Sequence, residues 1–456
     1  MNKTIAAIST PFGNGGIGIV RISGNVSREI VNKIFRPVNP EKNIITAKGY
    51  TSIYGHIIDG DEIIDEVICF IYNAPYSYTG EDVIEISAHG SLTILKEILF
   101  LAVKNGAQFA EAGEFTKRAF LNGKIDLTRA EAVMDLINAK NENARRVAIS
   151  IKEGTLYKKI NIIKDKLINI AANIAVYIDY PEEDIMDLNT EEMIKDLNDC
   201  KADLDKLSES YETFKINKDG INIVIAGKPN VGKSTLMNIL SGAEKSIVTN
   251  IPGTTRDIVS ENITIKGIPI NLYDTAGIHE TNDPIEKIGV DKTKLKLETA
   301  DVILAIFDAS DELSEEDYNL INKYSLNDNI ITIINKTDLT NKIDIEYIKD
   351  KFKHIVYISA KEERGIDEIL EHINKYLKIN EVDYSQGIII NERQNQCIKK
   401  AYEFINETID GINLNLTLDV CSINLDEVIN ALLELTGEKA SELIVERVFH
   451  NFCVGK

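Results

Sequence analysis

Long apolar runs are missing from this sequence. None reaches the roughly 20 residues that a membrane-spanning helix needs. The first apolar patch, in "MNKTIAAISTPFGNGG", is broken by Ser9, Thr10 and Pro11 before a secretory core could form. The expectation is a cytoplasmic protein with no membrane partner. Cysteine is scarce as well: Cys69, Cys200, Cys397, Cys421 and Cys453 are odd in number, widely scattered and without metal-site spacing. A disulfide framework is thereby excluded, and free thiols in a reducing compartment are expected. Positive charge is also in deficit, with 51 Lys and Arg against 72 Asp and Glu and a formal charge of −21. Such a chain does not wrap nucleic acid by itself, because neutralising phosphates takes a basic footprint. Any RNA contact is local or shared with a partner, and Lys117, Arg118, Lys124 and Arg129 form a local cluster suited to it. Internal repeats and low-complexity segments are absent.

What is present is enough for several cores. With 456 residues, 44% of them hydrophobic, the chain suggests about three domains of roughly 150 residues. To residue 118, short β-branched runs ("TIAAIST", "GIGIVRIS", "EVICFIY", "DVIEIS") alternate with two helical patterns, "REIVNKIF" and "LTILKEILFLAVKN". From 119 to 217 the strand signal fades and apolar residues recur at helical spacing. Strands return at "INIVIAG" and alternate with helices to 379, the pattern of a doubly wound parallel sheet. The remainder, 380–456, reads as helical, with Gly411 and Gly437 as expected breaks. So short a helical piece seldom makes a core alone, so it is expected to pack on 119–217. The expected fold class is therefore multidomain α/β plus all-α. It combines an N-terminal α/β domain (1–118), a discontinuous helical domain (119–217 and 380–456) and an inserted Ras-like, doubly wound α/β domain (218–379). The final "NFCVGK" is apolar for a tail and is expected to be docked.

The chemistry concentrates in the inserted segment. "GKPNVGKS" (Gly227 to Ser234) follows a strand and precedes a helix, the context of a phosphate-binding loop. There Asn230, Val231, Gly232, Lys233, Ser234 and Thr235 would meet the nucleotide. Lys233 would reach the β and γ oxygens and Ser234 would ligate Mg²⁺. "DTAG" (Asp274, Thr275, Ala276, Gly277) ends the next strand, where an aspartate can hold the Mg²⁺ shell and a glycine N–H can meet the γ-phosphate. In "NKTD", Asn335 and Lys336 lead to Asp338, whose carboxylate accepts from the N1–H and exocyclic amine of guanine, a donor pair that adenine lacks. Ser359 and Ala360 of "ISAK" fit the loop that closes over the base. Four motifs in this order, each at a strand end, point to GTP and GDP.

Ile278 stands where Ras-like proteins carry the glutamine that orients water, so another residue must do so. No arginine is placed as a finger. A monovalent cation could supply that charge if oxygens surround the β–γ bridge, and Asn230 with "TNIPGTTRD" offers them: Thr249, Asn250, Ile251, Pro252, Gly253, Thr254 and Thr255, the last completing the Mg²⁺ shell. In isolation "GTTRD" reads rather as an ordinary polar turn.

"GIGIVRISG", "GEFTKRAFLNGKIDLTRAEAV", "GKPNVGKS", "TNIPGTTRD", "DTAG", "NKTD" and the final "FCVGK" together resemble the MnmE (TrmE) family of tRNA modification GTPases, from end to end. The resemblance implies a homodimer formed by N-terminal domains and K⁺ ligands at Asn230, Thr249, Ile251 and Thr254. It also implies a water-orienting acid at Glu286, which spacing alone would leave as a solvated helix charge. A tetrahydrofolate one-carbon donor (5-formyl- or methylene-tetrahydrofolate) is implied in the N-terminal domain, at Arg21, Glu85, Lys124 and Lys456. The implied activity is a K⁺-activated GTPase that works with the flavoprotein MnmG (GidA), in a heterotetramer or larger complex. Together they place a carboxymethylaminomethyl or aminomethyl group on C5 of the wobble uridine of certain tRNAs, with FAD held only by the partner. Cys453 would serve that modification as nucleophile or by shaping the folate pocket, against the plainer expectation of a small buried hydrophobe. Two departures from the family pattern are Ser91 and His279. A ribosome-assembly GTPase switch and a folate-dependent one-carbon transferase of the glycine-cleavage type remain as alternatives; the former is disfavoured by the lack of a basic RNA-binding module.

Overall fold

Alternating burial along short strands builds the first sheet. In the computed structural model, which describes residues 3–13, 15–139, 141–179, 189–243, 260–265, 268–274, 300–327, 329–376 and 387–456, the chain divides into two units. One comprises Met1–Ile137, Ile149–Lys206 and Asn391–Lys456; the other comprises Asn138–Ala148 and Leu207–Ile390.

The first unit holds a seven-stranded sheet of β1 (Ile5–Ile8), β2 (Gly15–Ser23), β3 (Phe35–Pro37), β4 (Thr51–Asp59), β5 (Glu62–Tyr72), β6 (Val83–Gly90) and β7 (Gln108–Phe109). Its order is β3-β4-β5-β6-β2-β1-β7, antiparallel except where β1 meets β7. On β5, Asp65, Val67, Cys69 and Ile71 are buried and their neighbours are not, the period of two expected when one sheet face is covered. The cover is α1 (Ser27–Ile34) and α2 (Leu92–Lys104). Helix α1 turns Ser27, Ile30, Val31 and Ile34 inward at helical spacing, into a core shared with Ile22, Ile57, Ile71, Ile84 and Ile86. The register sets Arg21 of β2 directly opposite Glu85 of β6.

The same unit contains α3 (Glu114–Leu121), α4 (Leu127–Asn138) up to Ile137, the end of α5 (Glu142–Lys152), α6 (Thr155–Asp179) and the first half of α7 (Thr190–Asp219). It also contains the helices Glu392–Asn413, Leu418–Thr436 and Glu442–His450. The helix Leu418–Thr436 packs against both Glu392–Asn413 and α6. Gly437 ends it in the left-handed conformation, as the sequence suggests. Gly411, by contrast, does not break its helix, which runs on to Asn413. A Cβ at Gly411 would stand 3.1 Å from the Cys421 sulfur, so the small residue serves close helix packing. Glu131 of α4 joins the two stretches of chain. Its carboxylate accepts from Arg393 Nε at 2.7 Å, Arg393 Nη2 at 2.8 Å and the buried Gln394 amide at 2.6 Å. Arg393 also donates to the carbonyls of Glu434 and Leu435 at the end of their helix, where Glu434 O accepts from Gly437 N as well.

In the second unit, β8 (Ile221–Ala226), β9 (Ser260–Ile265), β10 (Ile268–Asp274), β11 (Val302–Asp308), β12 (Ile330–Asn335) and β13 (Ile355–Tyr357) form a sheet ordered β13-β12-β11-β8-β10-β9. All pairs are parallel except β9–β10 at the edge. Strands β11 and β12 are buried at every position, as central parallel strands covered on both faces must be. From β8 the chain runs outward to β10 on one side and later to β11 on the other. The crevice at the carboxyl ends of these strands is therefore the topological switch point, where ligands bind in such sheets.

Breaking the Glu131 cluster should cost stability. Glu131→Ala leaves the Arg393 charge buried without its carboxylate and is expected to destabilise the first unit by about 3–5 kcal/mol. Urea denaturation followed by helical circular dichroism measures this, and an unchanged midpoint would show the pair to be dispensable.

Candidate functional site

The strand ends of the second unit carry the motifs singled out in the sequence. After β8 the loop Gly227 to Gly232 leads into α8 (Lys233–Ala243), which begins at the motif lysine and carries Ser234 and Thr235 in its first turn. Asn230 adopts the left-handed conformation, and Gly232 sits at φ 102°. A Cβ on Gly232 would fall 2.2 Å from Asn335 Nδ2, so only glycine permits the approach. Lys233 is 5% exposed, and its ammonium donates to the carbonyls of Gly227 at 2.8 Å and Lys228 at 2.9 Å. The loop thus curls around its own lysine, and the cradle fits a phosphate held by backbone N–H groups and a helix N-terminus.

Asn335, at the end of β12, holds this loop to the rest of the site. Its buried amide donates to Val231 O at 2.7 Å and accepts from Ala360 N at 3.0 Å, while its carbonyl accepts from Ala309 N at 2.8 Å. One side chain therefore fixes the phosphate loop and the "ISAK" loop together. Next to it, Lys336 takes a left-handed conformation and pairs with Asp308. Burial pushes the Asp308 carboxyl up, yet hydrogen bonds from Lys336 and Ser310 hold it below its ordinary range. Asp338 accepts from Ser359 Oγ at 2.7 Å. That bond, helped by the charges of Lys361 and Arg364, lowers its pKa and keeps the carboxylate in the acceptor form that guanine recognition requires.

Asp274 ends β10. Thr249, Asn250, Ile251, Pro252, Gly253, Thr254, Thr255, Thr275, Ala276, Gly277 and Glu286 lie outside the described residues.

The first unit holds a different site. A cavity of about 320 Å³ is lined by Arg21, Tyr72, Tyr78, Val83 and Glu85 of the sheet domain, Val133, Leu136 and Ile137 of α4, Lys152 at the end of α5, and Lys456. Arg21 Nε donates to Glu85 Oε1 at 2.8 Å, and its Nη1 donates to Gly455 O at 3.2 Å. The guanidinium lies 5.6 Å from the Tyr78 ring centroid and 5.4 Å from that of Phe115, within cation–π range. The Lys456 ammonium has its pKa lowered by burial and by the charges of Arg21 and Lys152. An anion in the cavity would relieve that repulsion. Three cations against one carboxylate, with two tyrosine rings, suit a ligand that is aromatic at one end and carboxylate-bearing at the other.

The tail docks as expected. Phe452 is buried beside Phe449, Leu127 and Val133. Val454 forms a β-bridge with Ala112, and Lys456 O accepts from Phe115 N at 3.2 Å. Gly455, at φ 95°, lies so close to Ile8 that a Cβ would fall 2.4 Å from its carbonyl. Ser9 Oγ donates to Gly455 O at 3.1 Å.

Of the residues the resemblance assigns to folate, Arg21, Glu85 and Lys456 meet in the cavity. Lys124 does not line it; its ammonium donates to the carbonyls of Pro75 at 2.8 Å and Ser77 at 2.5 Å. Cys453 is exposed and does not line the cavity either, whereas the other four thiols are buried. Burial pushes Cys200 and Cys397 up to about 11, which leaves those thiols inert. Sequence reasoning missed Tyr72, Tyr78 and Lys152, which carry no motif around them.

A phosphate loop after the central strand and a base loop ending in Asp338, bound together by Asn335, define a guanine-nucleotide-binding P-loop protein. Comparison with known proteins narrows the class. The family model described as MnmE helical domain matches residues 127–453, and that described as GTP-binding protein TrmE N-terminus matches residues 4–124. The tRNA modification GTPase MnmE of Natranaerobius thermophilus is 43% identical over 99% of both chains. That of Clostridioides difficile is 42% identical over 100% of both, and that of Thermoanaerobacter sp. strain X514 is 43% identical over 99% of both. The chain belongs to the MnmE family of tRNA modification GTPases.

Base selection rests on a carboxylate meeting two donors. Asp338→Asn should weaken GTP binding by at least tenfold, roughly, because a mismatched buried polar pair costs about 1–3 kcal/mol. It should also shift preference toward xanthine nucleotides. Isothermal titration with GTP and XTP measures both, and unchanged GTP affinity would remove Asp338 from base recognition.

Proposed function

We propose that the chain is a K⁺-activated GTP hydrolase which, with the flavoprotein MnmG (GidA), modifies C5 of the wobble uridine of certain tRNAs in the cytoplasm. The added group is of carboxymethylaminomethyl or aminomethyl type, its methylene carbon comes from a tetrahydrofolate derivative, and FAD is contributed by the partner. One observation supports this reading most: a family member with a guanine-nucleotide loop also carries a separate cavity where Arg21 and Glu85 of adjacent strands meet Lys456 of the docked tail. A regulator that only bound nucleotide would have no use for it.

In this reading the chain works as a homodimer within a heterotetramer or larger complex. Its domains are 1–118 for dimerisation and folate, 119–217 with 380–456 for the helical body, and 218–379 for GTP. Ser234 and Thr255 hold Mg²⁺, which supplies charge neutralisation at the β and γ oxygens. Asn230, Thr249, Ile251 and Thr254 hold K⁺, whose charge stands in for an arginine finger. Glu286 orients water. Glu85 accepts from the amino and ring N–H groups of the pterin, while Arg21, Lys456 and Lys124 serve the glutamate carboxylates. Cys453, reached through the docked tail, acts in the modification as nucleophile or by shaping the pocket.

Two outcomes are expected. GTP turnover should be several-fold faster in K⁺ than in Na⁺ at constant Mg²⁺, and equal rates would contradict cation activation. Returned to a strain lacking its own copy, the wild-type gene should restore wobble-uridine modification, read by mass spectrometry of tRNA nucleosides. The Cys453→Ser gene should not, while its product keeps K⁺-stimulated hydrolysis. Absence of modification with the wild-type gene would refute the proposed function, and normal modification with the serine variant would reduce the tail to an anchor.

A further inference from the structure

In the cavity of the first unit, charge is unevenly matched from its depth to its edge. Arg21 and Glu85 are largely buried and answer each other, with Arg21 Nε and Nη2 both 2.8 Å from Glu85 Oε1. Lys456 is half-buried and Lys152 is exposed. Glu85 is the only acid among the described residues that line the cavity, so once it has met Arg21 the two lysines face the space without a counter-charge. Neither ammonium has a hydrogen bond or ion pair among the described residues. Burial first, then the charges of Arg21 and Lys152, lower the Lys456 pKa.

Packing holds Lys152 in this place. It ends α5, next to the buried Ile151 and just before the turn into α6. In that turn Gly154 N donates to Ile151 O at 2.8 Å, Thr155 Oγ1 to Ser150 O at 3.0 Å and Lys158 N to Gly154 O at 3.0 Å. Arg129 of α4 lies over the Tyr157 ring, 5.5 Å from its centroid, and against Gly154, where a Cβ would fall 1.9 Å from Nη2. A cation at a helix C-terminus also interacts with the last carbonyls. That explains an exposed lysine, but not one set at the edge of a cavity that already holds an unneutralised ammonium. An anion between the two lysines relieves their repulsion, and carboxylate is the anionic group that a folate carries. Lys124, which the resemblance assigns to the same end of the ligand, has its ammonium on the carbonyls of Pro75 and Ser77 and does not line the cavity.

We propose that Lys152 is a ligand-binding residue of this cavity, meeting, together with Lys456, a glutamate carboxylate of the bound folate, and that through it the cavity selects folates by that charge. This rests on the folate reading above and adds to it a contact from α5 that lies outside every motif.

Titration calorimetry of the full-length chain tests it with two probes, 5-formyltetrahydrofolate and the same folate with both glutamate carboxylates amidated. The wild type should prefer the folate. Lys152→Gln should weaken folate binding about fivefold, the upper range for an exposed ion pair, and leave binding of the diamide unchanged. The loss should shrink in high KCl, which screens exposed charges, and Lys152→Arg should keep the affinity of the wild type. Lys158→Gln, exposed on α6 and outside the cavity lining, should bind both probes as the wild type does. If the wild type binds the folate and Lys152→Gln binds it as tightly, or weakens folate and diamide alike, the role of Lys152 is overturned and the folate reading stands. If the wild type binds neither probe, both fall.

Discussion

The first unit depends on one guanidinium. Arg21 sits across from Glu85 by strand register, lies between the rings of Tyr78 and Phe115, and hydrogen-bonds the carbonyl of Gly455. A charge so far withdrawn from water persists only when its donors are met. The same contacts therefore fix the sheet, the start of the helical segment and the final residues in mutual position. The cavity exists because they are so fixed: Lys456 is carried to its edge by a backbone that passes Ile8 too closely for any side chain but hydrogen.

In the second unit a neutral side chain plays the corresponding part. Asn335 satisfies both ends of its amide, one against the phosphate loop and one against the loop that follows β13. A buried amide lacking either partner would cost free energy, so the two loops are held at a set separation before nucleotide arrives. Gly232 complements it, since a methyl group there would strike the amide nitrogen. The lowered pKa of Asp338 belongs to the same preparation: Ser359 donates to the carboxylate and keeps it ionised.

The acidic balance of the chain acquires a location in this light. Paired charges such as Glu131 with Arg393, and Glu438 with Lys164, join helices within the first unit. The two helices of the hairpin, Glu392–Asn413 and Leu418–Thr436, are likewise joined by Lys400 and Glu427.

Much of the fold was legible because it rests on local period and local backbone. Helix α1 was visible in four inward positions, the parallel strands in unbroken β-branched runs, and the phosphate loop in glycines between a strand and a helix. Strand β4 went unread although Ile53 and Ile57 alternate correctly, because Gly55 stands between them and weakens the strand signal. Gly411 misled in the opposite sense: its small size answers to Cys421 on the neighbouring helix, which no local rule can see. The motifs of the nucleotide site announced themselves, since each is a short string whose backbone does the binding. Only tertiary structure could bring Tyr72, Tyr78 and Lys152 to one cavity with Arg21 and Lys456, or turn Lys124 onto the carbonyls of Pro75 and Ser77. Those meetings depend on strand register and helix packing, which combine residues far apart in the chain, whereas sequence alone determines what each residue can do among its immediate neighbours.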